Sequence, residues 1–115
     1  MPQKRSQTGL GFEELTAELH NPKLGLPSCL VLNELGIMCW NHDRRAEEVL
    51  RQILEKESSD YSQLISLSFL TELIAAGTAQ PKTVESVERF RQNPANKQIV
   101  EDVNQNLEIR KSRLN

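Results

Sequence analysis

Cys39-Trp40-Asn41-His42 is the one place in this 115-residue sequence where soft metal ligands come close together. Zinc takes three or four thiolate, imidazole or carboxylate ligands in a single tetrahedral geometry. The other candidates, His20 and Cys29, lie on different predicted segments, so no metal is expected and the pair reads as a core thiol and a turn histidine. Trp40 is a large amphipathic ring beside a helix–helix turn. Exposed, it would be an anchor of the kind that dominates interfaces; otherwise it closes the end of a core. Catalysis has little to stand on. The sequence holds no Gly-rich phosphate loop, no Gly-x-Ser-x-Gly elbow and no His-Glu-x-x-His. Neither histidine has a nucleophile or an orienting acid at a recognisable spacing. The expectation is a non-enzymatic chain with no catalytic residue, metal or cofactor.

Cations offer a second chemistry. His42, Arg44 and Arg45 cluster at one turn, and Lys4, Arg5 and Arg110-Lys111-Ser112-Arg113 add more. Binding a phosphate backbone needs a continuous basic surface. Here Glu47 and Glu48 follow the first cluster at once, and 14 Lys+Arg stand against 16 Asp+Glu for a net charge of -2. A scattered, solvated charge set is the simpler reading, with a helical protein bound to nucleic-acid phosphates through its basic turns as the alternative. The longest apolar run is far too short to span a bilayer, and Met1-Pro2-Gln3-Lys4-Arg5-Ser6-Gln7 lacks the apolar core of a signal peptide. A cytoplasmic protein is expected. Cys29 and Cys39 would lie about 15 Å apart along one helix, too far for a disulfide within one chain. Both are expected to be reduced packing residues.

The elements that must position these residues are all helices. The central one runs from Ser58 to Gly77: Ser58, Ser59 and Asp60 are N-cap types, Gly77 is a C-terminal stop, and Leu64, Leu67, Leu70, Leu73, Ile74, Ile65 and Phe69 make it apolar nearly all round. Such a helix has to be covered on several sides. Before it, residues 1–10 form a polar, basic tail expected to be disordered, and residues 11–115 form one domain. A first helix spans Phe12 to Leu19 and ends at Asn21-Pro22. A second starts at Pro27 and runs to about Trp40, again rich in apolar residues. Asn41 or Asp43 caps a third, whose stripe is Ala46, Val49, Leu50, Ile53 and Leu54 and whose Glu47, Arg51 and Glu55 are expected on a solvated outer face. Gln80-Pro81 opens a fifth, with Val84, Val87 and Phe90 inward and Glu85 facing Arg89. Asn93-Pro94 ends it, and a sixth carries Ile99, Val100, Val103 and Leu107 on one side.

Paired helices invite a search for repetition. A shift of 72 positions places Glu13 on Glu85, Asn21 on Asn93, Pro22 on Pro94, Val31 on Val103 and Leu35 on Leu107. A shift of 38 places Leu26 on Leu64, Leu32 on Leu70, Glu34 on Glu72 and Leu35 on Leu73. The units are two-helix repeats of about 36 residues, each with a turn bearing Asn-Pro or Ser-Ser-Asp and, in the first two, an inner helix ending in Leu-x-Glu-Leu (Leu32 to Leu35 and Leu70 to Leu73). From Gly11 to about Lys111 this pattern resembles HEAT-like, armadillo-type helical repeats. It departs from them in lacking the acidic turn residue followed by an Arg, with Leu26-Pro27-Ser28 and Leu64-Ile65-Ser66 in that region. The resemblance implies an all-α fold of six helices in three stacked antiparallel hairpins, a curved stack whose second helices line a concave binding surface. In such a stack Asn33, Thr71 and Gln105, with Glu34, Glu72 and Asn106 beside them, take equivalent places and form a polar row for a partner protein. Glu34 and Glu72 could equally cap or brace neighbouring helices. The turn ridge of Trp40, His42, Arg44 and Arg45 is the other candidate partner surface. An open end of a short array could also be covered by self-association.

Overall fold

Local sequence signals set several of the helix ends. The computed structural model describes residues 8–56 and 59–114, with side chains described through residue 108. The helices are α1 (Phe12–His20), α2 (Ser28–Trp40), α3 (Arg44–Glu55), α4 (Asp60–Ala75), α5 (Pro81–Gln92) and α6 (Lys97–Leu114), with a 3-10 turn at Pro94–Asn96 before the last. No strand occurs among the described residues. Asp43 caps α3 by accepting from the Arg45 N–H, and Ser59 caps α4 by accepting from that of Ser62; Ser58 lies outside the described residues. Pro81 occupies the first position of α5, where its missing N–H leaves no bond unmade.

Two of the turns share one mechanism. After α4, Gly77 takes a left-handed φ of 77°, the Gly77 N–H donates to the Ile74 carbonyl and the Thr78 N–H to that of Leu73. After α2, the His42 N–H donates to Cys39 and the Asp43 N–H to Met38, and His42 itself sits at φ 70°. Each is a Schellman stop that satisfies the last helical carbonyls. His42 therefore stands where the other turn uses glycine.

Packing follows from which faces are apolar. Neither α2 nor α4 has a single outward polar side, and α4 touches α2, α3, α5 and α6 while α2 touches α1, α3 and α4. Leu32, Leu35, Leu67, Leu70 and Leu73 lose essentially all contact with solvent, each burial contributing about 1.5–3 kcal/mol. The alignment of Leu32 with Leu70 and Leu35 with Leu73 thus matches four core residues. Helices α2, α4 and α6 pack in series, and α3 packs along α5. Gly36 lets α2 approach α4, because a Cβ there would lie 2.3 Å from the Phe69 ring.

Two expectations need correcting. Glu47 and Arg51 are not on a solvated face: Glu47 is 1 % exposed and Arg51 9 %. α5 covers that face of α3 and supplies polar partners for it. The folded part also begins earlier than residue 11, because Thr8 hydrogen-bonds to α2 and Leu10 packs against the core. The remainder of the expected tail, residues 1–7, lies outside the described residues.

Candidate functional site

A polar seam joins α3 to α5. The Glu47 carboxylate accepts from the Gln80 N–H at 2.8 Å and from the Thr83 hydroxyl at 2.5 Å, and Arg44 donates to it at 2.8 Å. One turn on, Arg51 Nη1 reaches Thr83 and Gln80. A further turn on, Glu55 accepts from Ser86 and from Arg89. Arg89 is thus drawn across to α3, where the sequence suggested a pairing with Glu85. Burial alone would raise the Glu47 carboxyl, but the hydrogen bonds from Thr83, Gln80 and Arg44 outweigh it and hold the group below the usual glutamate range. Positions four apart on α3 meet Thr83 and Ser86 on α5, so every charge in the seam has a neutral or opposite partner.

Two other buried carboxylates fasten chain segments. Glu18 on α1 accepts from the Lys23 and Leu24 N–H groups, both at 2.9 Å, and so pins the α1–α2 loop. Glu34 on α2, 2 % exposed, accepts from the Thr8 N–H and hydroxyl, both at 2.6 Å. That placement corrects the expected polar row: Glu34 faces inward beneath Thr8 and braces the entry to α1, which was the alternative role considered for it. Of the other row residues, Asn33, Gln105 and Asn106 are exposed, and Thr71 and Glu72 are partly buried. Arg91, at the end of α5, links α4 to α6 by donating to Thr71 and to Asn104, both at 3.4 Å.

The turn ridge is occupied with holding the fold. Trp40 is partly buried and packs against the core. His42 is exposed, and its backbone makes the turn. Arg44 donates to the Thr78 carbonyl at 2.7 Å as well as to Glu47, tying the two Schellman turns together. Arg45 pairs with Asp43 at 3.0 Å and lays its guanidinium 4.5 Å over the Phe12 ring. The hydrogen bond from Arg45 holds the Asp43 carboxyl below its ordinary value. Burial, with Glu47 nearby, pushes the Cys39 thiol up to about 12, so it stays protonated. Among the described residues no three of His, Cys, Asp and Glu are grouped to hold a metal ion, and no helix is long and apolar enough to cross a membrane.

Sequence reading missed Glu18, Glu47 and Arg51 as buried groups. The signal available was the matching stripe of Thr83 and Ser86 on α5, small hydroxyl residues placed among Val87 and Phe90 on what becomes its inner face. A groove of about 380 Å³ lies between α1 and α3, lined by residues of both helices and by the first residues of α2 and α4. Set against protein-family models, curated proteins and solved structures, the chain matches none.

Proposed function

We propose that the chain is a non-enzymatic protein–protein interaction module, a short HEAT-like stack that serves as an adaptor or regulatory subunit in the cytoplasm. The observation that carries this reading is the serial packing of α2, α4 and α6, each contributing a polar residue at an aligned position: Asn33, Thr71 and Gln105. Uncharged side chains in a row across successive helices can hydrogen-bond a partner segment without a large desolvation cost. Arg91 supports the row by holding α4 and α6 in register through Thr71 and Asn104. Two of the cations that a phosphate-binding reading would use are committed elsewhere, Arg44 to Glu47 and Thr78, Arg45 to Asp43 and Phe12, while the side chains of Lys4, Arg5, Arg110, Lys111 and Arg113 lie outside the described residues. That favours a protein partner over nucleic acid.

Alanine at Asn33, Thr71 and Gln105 together tests the reading. Affinity capture from the native host, with identification of co-purifying proteins, should lose a specific partner while the melting temperature falls by no more than the few degrees that loss of the Arg91–Thr71 hydrogen bond costs. Retention of every specific partner by the triple variant would dismiss the row.

A further inference from the structure

The chain enters the fold through one hydroxyl. The Thr8 Oγ donates to Glu34 Oε1 at 2.6 Å, the Thr8 N–H donates to the same oxygen at 2.6 Å, and the Leu10 N–H donates to the Thr8 Oγ at 3.2 Å. That Oγ is donor and acceptor at once. Residues 8–11 so form a strap against α2 before α1 begins at Phe12, with Leu10 packed on the core. Gly9 bends the strap at a φ of 72°, and a Cβ built there would meet nothing within 4 Å, so the bend stands clear of the fold. Thr8 and Leu10 are half-buried, Gly9 and Gly11 exposed.

Glu34 beneath the strap is 2 % exposed, and an ionised carboxylate only accepts hydrogen bonds. A group that removes the hydroxyl hydrogen of Thr8 and adds negative charge there therefore turns attraction into repulsion. A phosphoryl group does both, bringing a charge of about −1.5 to −2 at pH 7. Where burial limits screening by water, like charges this close drive the strap away. The sequence supplies the means of recognition: Arg5 stands three residues before Thr8 and Lys4 four, a charge pattern that kinases with an acidic peptide groove select. Of the eight arginines in the sequence, Arg5 alone has a Ser or Thr three residues after it. That residue is the one whose hydroxyl fastens the strap. A segment near a chain end, with exposed glycines on either side of Leu10, leaves its bed by local opening while the helices stay folded.

We infer that Thr8 is a phosphorylation site and that its phosphate lifts the strap from Glu34. The Thr8 Oγ attacks the γ-phosphorus of ATP, and the new O–P bond forms as the bond from that phosphorus to the bridging oxygen breaks. The hydroxyl proton passes to the kinase's base and ADP leaves. Release uncovers the core surface beneath Leu10 and brings the Glu34 carboxylate toward solvent, beside Asn33 at the first step of the polar row. That consequence for binding rests on the interaction-module reading, whereas the opening of the strap does not.

The test treats the isotope-labelled full chain with Mg-ATP and a purified serine/threonine kinase that selects arginine three residues before its acceptor. Tandem mass spectrometry assigns the site, and amide nitrogen relaxation follows the strap. Phosphate should enter at Thr8, and Arg5→Ala should slow its entry about tenfold. In the modified chain the order parameters of Gly9 and Leu10 should fall from about 0.85 to below about 0.6, with those of α4 unchanged. Thr8→Val, which removes the hydroxyl without adding charge, should take no phosphate there and loosen the strap less, because its N–H still reaches Glu34. Glu34→Gln removes the repelling charge, so phosphorylation should loosen the strap less in that variant than in the wild type; Thr8→Val decides the matter if it unfolds. No phosphate at Thr8, entry there at the same rate without Arg5, or a Thr8 phosphate that leaves Gly9 and Leu10 as ordered as before would overturn the inference. None of these outcomes touches the row, which stands or falls on partner capture by its own triple variant.

Discussion

The Thr83 hydroxyl on α5 donates to the Glu47 carboxylate on α3 across 2.5 Å, with Thr83 fully buried and Glu47 1 % exposed. A charge so placed is tolerated only while its donors are present, because a buried carboxylate stripped of a partner keeps its desolvation cost. Thr83→Val preserves shape and removes the donor. It should lower stability by about 1–3 kcal/mol in urea denaturation with an unchanged slope. A variant as stable as the wild type would mean that Gln80 and Arg44 suffice to hold Glu47.

The same contacts give a pH dependence with a definite sign. Glu47 is held below its ordinary value of 4.5, so its contribution is fully present above that pH and is lost as pH falls through the lower folded value. Asp43, drawn down by Arg45, acts in the same direction, although the exposure of Arg45 to solvent makes its share small. Glu47→Gln should be less stable than the wild type at neutral pH, and the gap should narrow as urea midpoints are followed into acid. Parallel curves for the two proteins would show that Glu47 is not the acid-sensitive group.

Gly36 and Phe69 set how closely α2 and α4 cross. Alanine in a helix interior ordinarily gains about 1 kcal/mol over glycine. Here the added Cβ would fall 2.3 Å from the Phe69 ring, and displacing that ring costs about 1–3 kcal/mol. Gly36→Ala should therefore destabilise the wild type yet stabilise a Phe69→Ala background. The reversal, read as a double-mutant cycle by thermal melting, separates crowding from helix propensity.

What could be read from the sequence was local. The Asn93-Pro94 break, the Gly77 stop, the Asp43 and Ser59 caps and the leucines of α2 and α4 act within a turn or two of themselves, and each helix starts and stops within a few residues of where they put it. Glu47 and Arg51 are buried while Glu55 on the same stripe is exposed, a division hidden in the sequence because a polar stripe looks the same whether water or another polar stripe covers it. Only the packing of α5 distinguishes the two. Glu34 stays open in the sequence between the partner row and a brace for a related reason, since its partner Thr8 lies 26 positions away.

His42 at φ 70° leads to a last prediction, because its turn is the same Schellman stop that Gly77 makes after α4. A left-handed backbone costs a residue with a Cβ about 1 kcal/mol relative to glycine, and glycine gives part of that back through the greater freedom of its unfolded chain. His42→Gly should raise stability by about 0.5–1 kcal/mol, visible as a melting temperature higher by a few degrees. Gly77→Ala should lower it by a similar amount. The pair also bears on the turn ridge as a partner surface. If His42 acts through its backbone alone, the glycine variant keeps every specific partner in affinity capture; loss of a partner from a more stable protein would give the exposed imidazole a role in recognition.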